Sequence, residues 1–150
     1  MKTDYFTIPE ITVSYKDNVK ASERAVIKCS ADIAKILAVA FEDCMAHHEE
    51  FHVIYMNRAN KVLGISCVGV GGMNEVSVDI RIILQTALKV CAHGICVSHN
   101  HPSSSTTPSY QDTSLTKKLK DACKIVGIEL LDHLIMTEES YMSFADEGLL

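Results

Sequence analysis

The chain carries no excess of basic charge. Its 14 Lys and Arg stand against 19 Asp and Glu, a formal net charge of -5, whereas proteins that bind duplex nucleic acid usually present a basic face. The densest basic cluster, Lys117-Lys118 with Lys120, reads as the solvated face of a helix, so nucleic acid stays an open question rather than an implied partner. No stretch reaches the roughly 18 apolar residues that a membrane span requires, and no membrane partner is expected. Met1-Lys2-Thr3-Asp4-Tyr5 lacks the apolar core of a signal peptide. The six cysteines (Cys29, Cys44, Cys67, Cys91, Cys96 and Cys123) include no C-x-x-C pair. Several fall in apolar periodic segments and read as reduced core residues of a cytoplasmic protein. A cysteine zinc site is not expected, because structural sites normally use tight paired spacings. Internal repeats, low-complexity segments and interdomain linkers are also missing.

What is present fits one domain. A chain of 150 residues is long enough to bury about 70 % of its unfolded surface. With 47 % hydrophobic and 22 % charged residues, the composition is that of an ordinary globular protein. Residues 1–28 read as an N-terminal arm, in which Glu10-Ile11-Thr12-Val13-Ser14-Tyr15 alternates like an edge strand. The arm could pack on the body or on a second copy, which makes a homodimer an option. Residues 29–150 read as the folded domain. Ile33, Ala34, Leu37, Ala38, Phe41, Cys44 and Met45 recur at helical spacing behind a cap at Ser30 with Asp32. Residues 51–56 and 62–70 form a hairpin around the turn Arg58-Ala59-Asn60-Lys61, and Gly69, Gly71 and Gly72 loosen the chain after it. A second helix runs through Ile80, Ile83, Leu84, Ala87, Leu88 and Cys91, capped by Ser77. The nearly all-apolar segment Gly94-Ile95-Cys96-Val97-Ser98 suits the middle of a sheet. A third helix starts near Ser109 and ends at Gly127, a strand covers 130–136, and a last short one falls within 141–146. Helices interleaved with a mixed sheet make an α/β layered domain.

The chemistry concentrates after the central strand. Residues two apart in an extended segment face the same way, so His99 and His101 can converge on one ion while Asn100 points elsewhere. The site would lie at the carboxyl edge of a buried strand, where α/β proteins tend to place ligands. Asp112 admits two readings. Ser109-Tyr110-Gln111-Asp112 is the S-x-x-D capping-box pattern, which would make both residues helix punctuation. Asp112 also lies on the inward stripe with Leu115 and Leu119, and a carboxylate aimed at a core needs a partner. Two imidazoles and a carboxylate, with a fourth position left for water, form the ligand set of a catalytic zinc, and a Glu or Asp would serve as the base that orients that water.

His48-Glu49-Glu50-Phe51-His52 competes, because H-E-x-x-H on a helix supplies two zinc ligands and a base. Glu75 and Asp79 could act as a downstream ligand and its support. On a helix the two imidazoles would sit about 6 Å apart, but in a strand four residues span about 13 Å, too far to chelate one ion. Val53, Ile54 and Tyr55 favour a strand beginning near Glu50, so the motif is set aside. His93 and His133 are read as surface or core residues with ordinary hydrogen bonds.

His99-Asn100-His101-Pro102 followed by Ser109-x-x-Asp112 resembles the H-x-H-P-x6-S-x-x-D signature of the JAMM (MPN+/JAB) metallopeptidases. Ala87-Leu88, the "HNHPS" start and Leu130-Leu131-Asp132-His133-Leu134-Ile135 narrow the resemblance to the RadC group, from about residue 28 onward. It implies a JAB/MPN, cytidine-deaminase-like layered fold and Zn2+ held by His99, His101 and Asp112. It also implies a catalytic glutamate at Glu49, through the shared "E-x-F" before the apolar run, with Glu50 as the alternative one register away, and an oxyanion role for Ser109. The implied activity is zinc-dependent cleavage of a peptide or isopeptide bond in a peptide or protein substrate. The alternative is an accessory, DNA-repair-associated protein with a bound metal and little peptidase activity. Two departures stand out. Ser104 occupies the place where RadC proteins usually carry glycine, so the loop there is expected to differ. Residues 1–28 do not resemble the helix-hairpin-helix module of full-length RadC proteins, which makes this a short form.

Overall fold

The computed structural model describes residues 8–150, so the signal-peptide reading at Met1–Tyr5 lies outside the described residues. The elements follow in order as α1 (Ser30–Ala40), β1 (Glu50–Met56), β2 (Val62–Val70), α2 (Ile80–Lys89), β3 (Gly94–Asn100), α3 (Tyr110–Ile125), β4 (Glu129–Met136) and β5 (Tyr141–Ser143). One five-stranded sheet has the order β2-β1-β3-β4-β5. Among the described residues only β3 and β4 run parallel, joined by the α3 crossover; the other pairs are antiparallel. The sheet is therefore mixed and the domain α/β.

The sheet separates two cores. On one face Ile33 and Leu37 of α1, with Phe41 just after it, pack against Ile54, Met56, Cys96 and Leu134. On the other, Ile83 and Ala87 of α2 and Leu119 and Cys123 of α3 cover Phe51, Val53, Tyr55, Ile95 and Val97. Each buried aliphatic or aromatic side chain contributes about 1.5–3 kcal/mol. Every residue of β3 is buried, which its apolar run anticipates, since a strand covered on both faces has no polar side to show. α3 ends where Gly127 turns left-handed at φ 75°.

Several local expectations need correction. Glu10–Tyr15 forms no strand. Ile11, Val13 and Tyr15 are all exposed, and alternation without a partner strand builds no ladder. The chain meets the body beside the β1–β2 hairpin, where Lys61 Nζ donates to the Ala21 carbonyl, Arg24 to the Val62 carbonyl, and Val26 is bridged to Lys61. α1 stops at Ala40, although its apolar spacing continues to Met45; the next residues close successive turns, with Cys44 N–H and Met45 N–H both donating to the Phe41 carbonyl. Its N-cap is Cys29, and Asp32 reaches back to accept from Lys28 N–H at 2.9 Å. α2 is capped by Asp79, which accepts from Arg81 N–H, not by Ser77. Gly71 tightens the chain rather than loosening it: a Cβ there would meet the Glu75 carbonyl at 2.0 Å. That close approach lets Gly71 and Gly72 hydrogen-bond the Glu49 backbone on both sides, at 2.8 and 2.9 Å.

Candidate metal centre

Strand parity assembles the site. β1 and β3 pair with Phe51 opposite His99 and His52 opposite Ser98. Residues directly opposite share a face and neighbours in sequence do not, so Glu49, Phe51, His99 and His101 project toward α3, and Glu50, His52 and Asn100 toward α1. The Phe51 ring lies parallel to His99, with centroids 6.1 Å apart. Glu49, His99, His101, Ser109 and Asp112 line one cleft of about 610 Å³. Glu50 is on the opposite side of the sheet, which separates the two glutamates that the sequence left one register apart.

The hydrogen bonds determine where the protons are. Thr116 Oγ1 lies 2.6 Å from the Asp112 carbonyl, which can only accept, so the hydroxyl hydrogen is committed there. Thr116 must then accept from His133 Nδ1–H, also at 2.6 Å. A neutral His133 thereby presents a bare Nε2, and it accepts from His99 Nδ1–H at 2.9 Å. Burial, with the neighbouring His99 adding to it, pushes the His133 pKa well below its ordinary value and keeps the ring neutral. His99 is consequently the Nδ1–H tautomer, with its Nε2 lone pair directed into the cleft. His101 follows the same logic: its Nδ1–H donates to the Ser105 carbonyl at 2.7 Å, leaving Nε2 bare in the neutral ring.

With both rings neutral, three acceptors therefore converge with no donor among them. The two Nε2 atoms are 2.9 Å apart, His99 Nε2 is 3.3 Å from Asp112 Oδ1, and His101 Nε2 is 3.5 Å from Asp112 Oδ2. Such an arrangement needs a cation between its members. A tetrahedral zinc with bonds of 2.0–2.1 Å separates neighbouring N and O ligands by about 3.3 Å, a value the three distances bracket. These residues fit a zinc-class ion. In its absence a proton fills the gap: the Asp112 carboxylate raises the His101 pKa above 6.5. Burial alone would raise the Asp112 carboxyl, but a hydrogen bond from protonated His101 and the nearby His99 ring prevail and hold it far below the usual carboxylate range.

Asp112 caps its helix and at the same time faces the two imidazoles. Its Oδ2 accepts from Ser109 N–H at 2.8 Å while Ser109 Oγ accepts from Asp112 N–H at 3.1 Å, a complete capping box. The cap fixes the carboxylate rotamer and leaves Oδ1 toward His99. Ser109 Oγ, occupied as an acceptor, retains its own hydrogen for the cleft. Glu49 is 7 % exposed, and burial raises its pKa even though His99 and His101 pull it down. A carboxylate near a cation site with an elevated pKa is suited to exchanging protons. Ser104 adopts φ 67°, the left-handed conformation that glycine takes without a Cβ penalty. The turn after His101 is thus built by a serine at a cost of about 1–2 kcal/mol.

Two supporting residues escaped the sequence reading. His133 orients His99, and it faces the site only because β4 bulges: Ile95 pairs with Leu130 but Cys96 with Asp132, so Leu131 is skipped and the parity reverses. Asn100, fully buried, accepts from Glu50 N–H at 2.8 Å and donates to the carbonyls of Cys44, Met45 and His48. It pins the segment that leads into Glu49. The H-E-x-x-H pattern forms no helix; His48 lies in a bend and His52 in β1. Glu75 lines the cleft, and Asp79 is taken up by Arg81.

The chain is similar to several known proteins. A UPF0758 protein of Flavobacterium johnsoniae is 43 % identical over 102 residues, covering 68 % of this chain and 44 % of that protein. One from Symbiobacterium thermophilum is 42 % identical over 108 residues, 71 % of this chain and 46 % of its own length. One from Listeria monocytogenes serotype 4b is 38 % identical over 130 residues, 87 % and 57 % respectively. The chain thus spans about half the length of the curated relatives it matches. Residues 27–149 match the RadC-like JAB domain, which takes in every strand, every α-helix and the whole of the cleft, and the chain belongs to that family.

Proposed function

We propose that the chain is a zinc-dependent hydrolase of the JAMM type, cleaving a peptide or isopeptide bond. His99, His101 and Asp112 hold the ion, Glu49 moves the proton and Ser109 steadies the acyl oxygen. The observation that carries this reading is the convergence of two imidazole Nε2 atoms and one carboxylate at 2.9, 3.3 and 3.5 Å. A zinc ion held there supplies Lewis acidity and lowers the pKa of a water it carries to about 7. Glu49 Oε takes the proton from the attacking water and returns it to the leaving nitrogen. Its raised pKa favours the return step, and general acid–base work of this kind contributes about 10²–10⁴-fold. Ser109 donates its free hydroxyl hydrogen to the acyl oxygen as charge develops; losing one such donor costs about 10²–10³ in kcat. The capping box keeps that hydroxyl in place.

Zinc-reconstituted protein assayed on fluorogenic peptide and isopeptide-linked substrates tests the proposal. Wild type should show chelator-sensitive turnover, and Asp112→Asn none. Glu49→Gln should retain zinc while losing turnover by about 10²–10⁴-fold. Unchanged hydrolysis by Glu49→Gln would remove Glu49 from the base role. Zinc bound by wild type without any turnover would favour the accessory reading.

A further inference from the structure

The face of the sheet toward α1 carries a second group of metal-ligating side chains that the hydrolytic reading does not use. It centres on Glu50, 20 % exposed at its side chain. His48 Nε2 lies 3.0 Å from Glu50 Oε1 and His52 Nε2 lies 2.8 Å from Oε2, so the two imidazoles grip opposite oxygens of one carboxylate. Cys67 Sγ approaches Oε2 at 3.9 Å. Cys67 reaches this point from β2 because it pairs directly with His52, after an irregularity between Phe51 and His52 that skips Val68. Cys44 arrives from the turns after α1. The donor atoms of Glu50, His52 and Cys67 lie within 4.8 Å of one another, as do those of Cys44, His48 and Glu50.

We propose that this face is a second transition-metal site, for a zinc-class divalent ion, with Glu50, His52 and Cys67 as its protein ligands; Cys44 and His48 flank the other carboxylate oxygen of Glu50. Three observations support it. Imidazole, carboxylate and thiol are a zinc donor set, and a tetrahedral zinc places its sulfur about 3.6 Å from an oxygen or nitrogen ligand, close to the Cys67–Glu50 separation. The thiol is exposed, which opens a path for the ion. The positions are also held independently of any ion: His52 is braced edge-on by Phe41 at 4.7 Å, and Glu50 N–H is bound by Asn100. In the metal-free chain His52 donates to the carboxylate; on binding, the ion takes the place of that proton. Cysteine spacing gave no hint of the site, because Cys67 meets His52 and Glu50 only through strand pairing. It is distinct from the His99 centre, which lies across the sheet and has no sulfur, yet Glu49 and Glu50 are consecutive, so an ion here would stiffen the start of β1.

Cobalt(II) titration of the full chain tests this, since only a thiolate ligand produces sulfur-to-cobalt charge-transfer absorption. Wild type should bind one equivalent with that band in addition to one without it. Cys67→Ser and Glu50→Gln should each remove the banded equivalent and spare the other, and His101→Ala should do the reverse. Absence of the band from saturated wild type would overturn the proposal whatever the variants do, as would a band that survives Cys67→Ser in a protein of unchanged circular dichroism.

Discussion

His133 offers the most discriminating perturbation of the site, because its two ring nitrogens have separable duties. Nε2 accepts from His99 and Nδ1 donates to Thr116, in a position with no exposure. Asparagine can place its amide near the Nδ1 position and glutamine near the Nε2 position. His133→Asn should therefore keep the link to Thr116 and strand the His99 Nδ1–H, while His133→Gln should keep the acceptor for His99 and strand Thr116. Either change leaves one buried group unpaired and should cost about 1–3 kcal/mol of stability. That corresponds to about 2–12 °C in Tm for a chain of this size. Metal affinity should separate the two. In the Asn variant His99 recovers its lost hydrogen bond by moving its proton to Nε2, which points a donor at the ion and should weaken binding about 10–100-fold. The stranding penalty and the affinity loss agree, since tenfold is about 1.4 kcal/mol. The Gln variant should stay near wild type. Chelator competition, run in a Cys67→Ser background so that only the His99 centre is read, gives the affinities, and urea unfolding of metal-free protein gives the stabilities. Equal affinity losses in the two variants, or an unaffected Asn variant, would refute the proton assignment.

Asn100→Ala removes one acceptor and the shared donor of three carbonyls, and metal-free protein should lose about 3–5 kcal/mol in denaturant unfolding; a loss below about 1 kcal/mol would mean that the 44–50 segment holds itself. Metal affinity should depend on pH with a definite sign. Asp112 raises the His101 pKa above 6.5, so a proton occupies Nε2 below that elevated value and must be displaced. Affinity should rise with pH until it passes that pKa and then level off; a constant Kd between about pH 5 and 8 would contradict the competition.

The sequence makes the first layer of this site legible and hides the second, for physical reasons. His99 and His101 can be placed together because they close an apolar strand, where a period of two is dependable. Ser109 and Asp112 can be placed because a capping box has a local signature. The H-E-x-x-H rival fails on length: the strand begins at Glu50, as Val53, Ile54 and Tyr55 suggest. His133 is hidden by the β4 bulge, which no local pattern announces and which changes the face of every later residue. Asn100 is visible as a residue but not as a clamp, since its partners lie 50 or more residues away, between α1 and the start of β1. The Glu50 cluster is hidden likewise, because Cys67 and His52 meet only through strand register. The expected strand at Glu10–Tyr15 shows the converse failure, a local alternation that no neighbouring strand takes up.

Diffraction from crystals of the zinc-loaded protein, recorded at the zinc absorption edge, tests the central claim most directly. The account predicts an anomalous peak in the cleft, within bonding reach of about 2.0–2.2 Å of His99 Nε2, His101 Nε2 and an Asp112 carboxylate oxygen. A saturated crystal with no peak at those three residues, even with zinc bound elsewhere on the chain, would contradict it.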